Sequence, residues 1–416
     1  MLAVTYAFLR AAGVWGIHPA TFPDSAGYQH LDLSSPIART WPVPLLYSLV
    51  GSDPLRVAMH VVLGSLAWTW LARVLSRGSR FPVVVSIATF VVGLAPQVTR
   101  YDLAILSESL AITFGVAMAA ATLNAADSWS VRTATQWVLV MTVFTMVRPQ
   151  HMVVLFAAAA VVIIRCAGKR MLPGAAGAMV IGASLIGFWQ FRANSPTGDL
   201  NLYTVITERV LTDDTRFAWF VDHGMPDIPG MRQAQSYDYI EQVPAELLAY
   251  LQLPVGQAPP SLVRAGGMPF AEWVRNDGWS TYARYVLTHP SDTKARVLDL
   301  ASPTLDPVND DFLPLTGRTM VPRWLFAPWK LCAVLTAAGA AFAVLTGRLR
   351  RAAMLAAMFL TTAVIYSAAM LTSGIEHPRH ASMVAVLVRV CALAGFAELL
   401  RREVSADASS SAPPSG

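Results

Sequence analysis

Charge is what this sequence has least of. Only 14% of its 416 residues are charged, against 55% hydrophobic. The apolar residues gather in runs of membrane-spanning length, which excludes a soluble domain and indicates an integral membrane protein. Lysine occurs only at 169, 294 and 330, so nearly all positive charge is arginine. That bias, with abundant alanine, reads as a GC-rich bacterial genome. The net charge of +5 is small, and no basic stripe is interleaved with aromatics, so nucleic acid is not a partner. Cysteine is scarce too. Cys166, Cys332 and Cys391 are far apart, lack CxxC spacing and lie in or beside apolar runs. They read as buried free thiols, with neither a disulfide frame nor a metal site expected. The first apolar run lacks a basic leader and an A-x-A site, so no cleavable signal is expected. It carries Arg10, and the start of the protein is expected a few residues upstream.

What is there is a series of apolar segments. Ten spans are predicted, at 2–17, 54–72, 81–98, 103–124, 134–147, 152–164, 172–191, 324–346, 352–371 and 381–399. This is an all-α polytopic membrane protein. Residues 1–191 read as an N-terminal membrane module whose first outer loop covers 18–53. Residues 192–323 are polar and rich in Pro, Asp and aromatics; they read as a mainly helical extracytoplasmic domain with helices near 201–211, 237–251 and 269–287. Residues 324–402 supply the last three spans. The tail 403–416 is low in complexity and expected to be disordered and cytoplasmic. Arginines cluster in alternate short loops: 73, 77 and 80; 132; 165 and 170; 348, 350 and 351; 401 and 402. The positive-inside rule puts those loops in the cytoplasm, in a bacterial inner membrane. The opposite loops, holding Asp24, Asp102, Glu108, Arg148 and 372–381, then face the exterior.

Those outer loops carry the candidate chemistry. Asp24 and Tyr28, four residues apart, share one face of a short helix. Asp24 reads either as a catalytic base or as that helix's N-cap; Asp32 reads as a cap. Glu108 lies in the apolar run 103–112, about one turn inside the fourth span. A carboxylate at the centre of a span costs about 2.5–3.5 kcal/mol and less near an interface, and a helix N-terminus offsets about 0.3–1 kcal/mol. Glu108 therefore reads as functional, or as the structural partner of Arg100 or Arg148. Arg148 and Arg379, with His380 beside it, offer cations whose forked geometry suits phosphate oxygens; the alternative is snorkelling or pairing with Asp24 or Glu108. His377 and His380 form a weak metal pair at best. Trp273, Trp279, Tyr282 and Tyr285 suit sugar rings, or an amphipathic helix resting on the bilayer.

The order of motifs resembles a known group. Asp24-Ser-x-x-Tyr28 in the first outer loop is followed by Arg39-Thr-x-Pro-x-Pro-Leu-Leu46, then by Leu106-Ser-Glu-Ser-Leu110, then by Arg148-Pro149. This is similar to the GT-C superfamily of multi-span glycosyltransferases that use polyprenyl-phosphate sugars, including the protein O-mannosyltransferase and aminoarabinose-transferase relatives. Residues 1–165 carry the likeness by motif; the later spans share only the architecture. The chain departs from that pattern in having a single acid in the first loop, and Arg379-His380 where many relatives have Arg-Tyr. The resemblance implies transfer of a sugar from a polyprenyl-phosphate donor, without a cofactor, to an envelope glycan, lipid or protein. It implies Asp24 as base, inversion at the anomeric carbon, Glu108 as an orienting acid, and Tyr28, Arg148, Arg379 and His380 as substrate contacts. Divalent-metal need stays open. A transporter or flippase of lipid-linked envelope precursors is the rival class, but it favours charges at the midplane and internal repeats, and neither is evident. A non-catalytic scaffold would tolerate loss of Asp24 and Glu108.

Overall fold

A computed structural model describes residues 1–22, 24–31, 39–148, 201–227, 268–306, 318–374 and 376–402, with isolated positions at 151, 154, 182 and 232. These are helical, apart from turns and two isolated β-bridges. Five helices are long and apolar enough to cross a membrane: Asp53–Ser76 (α4), Glu108–Asp127 (α7), Arg323–Leu345, Leu349–Thr372 (α15) and His377–Leu399 (α16). The α-helical part of the third of these is Trp329–Leu345 (α14). Pro82–Gly93 (α5) and the segment Pro96–Leu103 meet at 53° and would together make a sixth. Leu2–Val14 (α1) and Val131–Val147 (α8) are shorter and apolar. Among the described residues this falls short of the ten spans expected; the predicted spans at 152–164 and 172–191, with Cys166 and the helix at 237–251, lie outside them.

Local sequence explains the boundaries. Pro96 opens helix Pro96–Thr99 (α6), and its missing N–H and bulky ring break the run from α5. The third span is therefore two pieces. The run Arg39–Leu46, expected as loop, folds in part into helix Pro42–Val50 (α3). Proline sits at its first turn, and Gly51 ends it at φ 75°. Ser130 and Thr133 form a reciprocal capping box that starts α8. The fourth span begins at Glu108 rather than 103. Residues 103–105 are drawn out of the helix by Ala20, whose N–H donates to Leu103 O at 2.8 Å and whose carbonyl accepts from Ile105 N–H at 2.9 Å.

α7 and α16 are the most enclosed of the long helices. α14 crosses α16 at Gly339 and Gly395: a Cβ on Gly339 would overlap the Gly395 backbone, and one on Gly395 the Leu335 backbone. At one end of the bundle the arginine-rich turns converge. Arg80 N–H donates to Leu400 O at 2.8 Å and Arg402 N–H to Gly78 O at 3.0 Å. Arg348 pairs with Glu398 at 3.0 Å, and Arg351 pairs with Asp127.

The described parts of 201–288 form a second apolar cluster, while Ala301 and Leu305 pack into the main core. A wide π turn at Ile206–Val210 and the kinked helix 268–288, with its own π turn at Val274–Gly278, bring together Leu202, Phe220, Phe270, Trp273, Tyr282 and Tyr285. Trp273, Tyr282 and Tyr285 are 3–5% exposed. These three pack into the cluster rather than present a surface, while Trp279 is half-buried against it. This cluster rests on the α15–α16 turn: Tyr282 Oη donates to Leu371 O at 2.7 Å.

Candidate functional site

The other end of the bundle gathers charges from four separate stretches. Helix Ser25–Gln29 (α2) follows Asp24, α7 opens with Glu108, α8 ends just before Arg148, and the first turn of α16 carries Arg379. Arg379 joins them. Its Nε donates to Glu108 Oε1, its Nη2 donates to Asp24 Oδ2 at 3.1 Å, and its Nη1 donates to Glu376 Oε2 at 2.7 Å. Arg148 Nη2 meets the same Glu108 Oε1 at 2.5 Å. Arg39 Nη2 donates to Asp24 Oδ1 at 2.9 Å. Three carboxylates thus face three guanidiniums, and the cluster is formally neutral.

Burial within the cluster is graded. Glu108 is fully buried, Arg148 and Arg379 nearly so, while the Asp24 side chain is 38% exposed. Asp24 precedes α2 but makes no capping hydrogen bond; its oxygens are turned to Arg39 and Arg379 instead. Glu108 is the first residue of α7, so its charge sits at the positive end of the helix dipole. Of the two partners considered for it, Arg148 is the one it meets; Arg100 lies over the Tyr101 ring. Both arginines bind one oxygen. Glu108 Oε2 and Arg148 Nη1 are buried without a protein partner. Such groups are uncommon in folded proteins, because each forfeits its hydration.

The surrounding residues fix this geometry. Ser107 Oγ accepts from Arg148 Nε at 3.0 Å and from Tyr28 Oη at 3.3 Å. Arg39 stacks over the Tyr28 ring at 5.1 Å. Tyr28 is 7% exposed, so its place is beneath the arginines. Thr40 Oγ1 donates to Val147 O at 3.1 Å, tying the stretch before α3 to the end of α8. Tyr47 Oη donates to Leu106 O at 2.6 Å, and burial pushes its pKa well up, which keeps it a neutral donor. His151 is neutral for two reasons: burial and then the Arg148 charge push its pKa down to about 3. His380 is half-buried beside Arg379, with its Nδ1 buried and without a protein partner. His377 Nε2 lies 3.2 Å from Ser373 O and 3.1 Å from Arg296 Nη2. Asp32 lies outside the described residues.

Sequence reasoning missed Arg39 and Glu376 as members of the cluster. Arg39 had a signal, being the one basic residue in a Trp- and Pro-rich stretch next to Asp24. It also missed the buried pair beneath: Arg10 Nε and Nη2 bond the two oxygens of Asp102 at 2.8 and 2.9 Å. A charge inside the first apolar run, Arg10, was the available sign that it needed a buried partner.

The described residues define a helical bundle of membrane-spanning character with a buried arginine–carboxylate cluster at one end. No protein-family model matches the chain, and no curated protein does. Among solved structures it is similar to the archaeal oligosaccharyltransferase AglB from Archaeoglobus fulgidus, solved with an inhibitory peptide and a dolichol-phosphate. The identity is 12% and the TM-score 0.42, over 94% of this chain and 49% of that one. This chain spans about half the length of that protein, and a likeness at this level carries no functional argument.

Proposed function

We propose that this chain is an integral-membrane glycosyltransferase that moves a sugar from a polyprenyl-phosphate donor to an envelope glycan, lipid or protein. The motif order Asp24, Arg39, Glu108, Arg148 supports the class. The observation that carries it is that Arg379 holds Asp24 and Glu108 together, with Glu108 Oε2 and Arg148 Nη1 left for a further group. In this reading the cluster faces the exterior, the arginine-rich end and the tail face the cytoplasm, and 192–323 meets the acceptor.

The chemistry follows from the charges. The acceptor hydroxyl must lose a proton as it attacks the anomeric carbon. Asp24 is the most open carboxylate of the three and takes it. The bond between the anomeric carbon and the phosphate oxygen breaks, and polyprenyl phosphate leaves with the electron pair. Arg379 and Arg148 stabilise the growing negative charge. In the resting site Arg379 and Arg39 occupy both oxygens of Asp24. The donor phosphate competes for Arg379, which frees a carboxylate oxygen as it docks. Glu108 keeps both arginines aimed, and His380 lines the same edge. Direct displacement inverts the anomeric configuration.

The test is transfer of labelled sugar from polyprenyl-phosphate donors to envelope acceptors in membranes carrying the parent or Asp24→Asn at matched expression. A loss of about 10²–10⁴-fold is expected. Transfer that persists in the variant removes Asp24 as base. If no donor yields transfer, translocation of the lipid is assayed, and its presence replaces this reading with the transporter.

A further inference from the structure

Glu376 stands out in two independent ways. At φ 53°, ψ 32° it is the sole non-glycine residue with positive φ among those described. This left-handed conformation is normally filled by glycine or asparagine, because any larger side chain is strained there. A glycine would serve the backbone better, so the side chain has to account for the choice. It is not a helix cap: Glu376 precedes α16 but makes no capping hydrogen bond. Its carboxylate goes to Arg379 Nη1 instead.

The geometry of a guanidinium gives that bond a meaning. Nε and Nη2 share one edge of the plane, and Nη1 points away from it. In Arg379 the shared edge faces Glu108 and Asp24, and the outlying Nη1 is held by Glu376. Glu376 thus holds the guanidinium from the side that Asp24 and Glu108 do not reach. The turn bearing Glu376 is also fixed from outside. Gly374 lies against the backbone of Thr204, where a Cβ would overlap it. Tyr282 holds Leu371 O, and Arg296 meets His377.

We propose that Glu376 is a positioning residue: it sets the plane of the Arg379 guanidinium so that one edge serves Asp24 and Glu108 together. It does so from a turn braced by Thr204, Tyr282 and Arg296, so those helices and the charge cluster share one support. The kinetic consequence rests on the glycosyltransferase reading; the orientation of Arg379 does not.

The experiment uses the full chain in lipid nanodiscs, as parent, Glu376→Gly and Glu376→Gln. Three quantities are read: thermal unfolding, transfer kinetics, and modification of Arg379 by phenylglyoxal, followed by peptide mass spectrometry. Glu376→Gly relieves the backbone strain, so its unfolding temperature is expected to hold or rise. Its kcat is expected to fall by about 10- to 100-fold, the scale of a small misplacement of a reacting group, with donor KM changing less. Arg379 should be modified several-fold faster than in the parent. Glu376→Gln keeps an acceptor oxygen at the same reach and should retain part of the rate and protection. Stability falling in step with transfer in both variants would make Glu376 a structural brace and overturn the proposal. So would Arg379 staying as protected as in the parent. If the parent transfers no sugar, the proposed function fails on that ground, and the Arg379 labelling still decides the positioning role.

Discussion

α7 and α16 each run from one charge cluster to another, and the two clusters are wired differently. At the arginine-rich end Glu398 is 3% exposed and uses both oxygens: Oε1 takes Arg348 at 3.0 Å, and Oε2 takes Arg401 at 2.8 Å, with Arg351 at 4.0 Å. Arg351 also closes on Asp127, and Arg77 donates to Asn124 at 2.6 Å. At the opposite end Glu108 crowds Arg148 and Arg379 onto one oxygen and leaves the other bare. The first arrangement closes a bundle. The second costs stability, since a buried carboxylate oxygen without a donor forfeits its hydration. Burial alone does not separate the two, because Glu108 and Glu398 are almost equally buried. What separates them is how the carboxylate is used: Glu398 spreads its arginines over both oxygens, and Glu108 takes both of its own on one.

Substitutions at the two ends should therefore fail in different ways. Asp24→Asn is expected to lower sugar transfer by about 10²–10⁴-fold while lowering thermal stability only modestly, since Asp24 is partly exposed and the buried Arg379 keeps Glu108 and Glu376. Glu398→Gln should do the reverse. Glu398 is buried but Arg348, Arg351 and Arg401 are 18–20% exposed, so the loss is that of a charge-assisted hydrogen bond, about 1–3 kcal/mol; folded yield and melting temperature should drop while transfer per folded molecule holds. Glu108→Gln joins both behaviours and should lose stability and transfer together. If Glu398→Gln abolished transfer in well-folded protein, the division between a closing cluster and a working one would be wrong. Gly339→Val probes neither cluster. It forces α14 off α16 at Gly395 and is expected to cost about 1–3 kcal/mol in overpacking, read as a lower melting temperature with transfer retained.

Much of this was legible in the sequence, for physical reasons. Apolar runs announce long helices, and an acid beside such a run is rare enough to notice. Asp24, Glu108, Arg148 and Arg379 could be singled out on that basis. Partner choice could not. Arg379 and Glu108 are 271 residues apart, and no local pattern says which arginine reaches which acid. The start of α7 was misread because Leu103, Ala104 and Ile105 are good helix residues; pairing with Ala20 overrode their propensity. The aromatics of 273–285 were misread as a surface because a short polar-flanked helix does not reveal that a second element, 201–227, covers it. Glu376 gave no sign at all, since positive φ at a glutamate follows from tertiary constraint.

The weakest predicted effect concerns the second apolar cluster, and it separates that region from the bundle. Asp292 Oδ2 accepts from Arg209 Nη2 at 2.8 Å and from Tyr285 Oη at 3.0 Å, and Arg216 lies 3.7 Å from Oδ1. Burial by itself would raise the Asp292 pKa, but these donors and charges outweigh it and hold the carboxyl below its ordinary value of 3.8. A depressed carboxyl contributes stability above its unfolded pKa, and that contribution is lost as pH falls through the lower folded value. The helices of this cluster should therefore loosen below about pH 4, first of all around Trp219, which packs edge-on against Tyr285. Tyr285 sets the opposite limit. Burial and then Asp292 raise its pKa to about 12, so the neutral phenol is favoured and the support is lost as pH rises from 10 toward 12. Tryptophan fluorescence against pH should show both limbs, and Asp292→Asn should erase the acid limb. An acid limb that survives in Asp292→Asn would move the titrating group elsewhere.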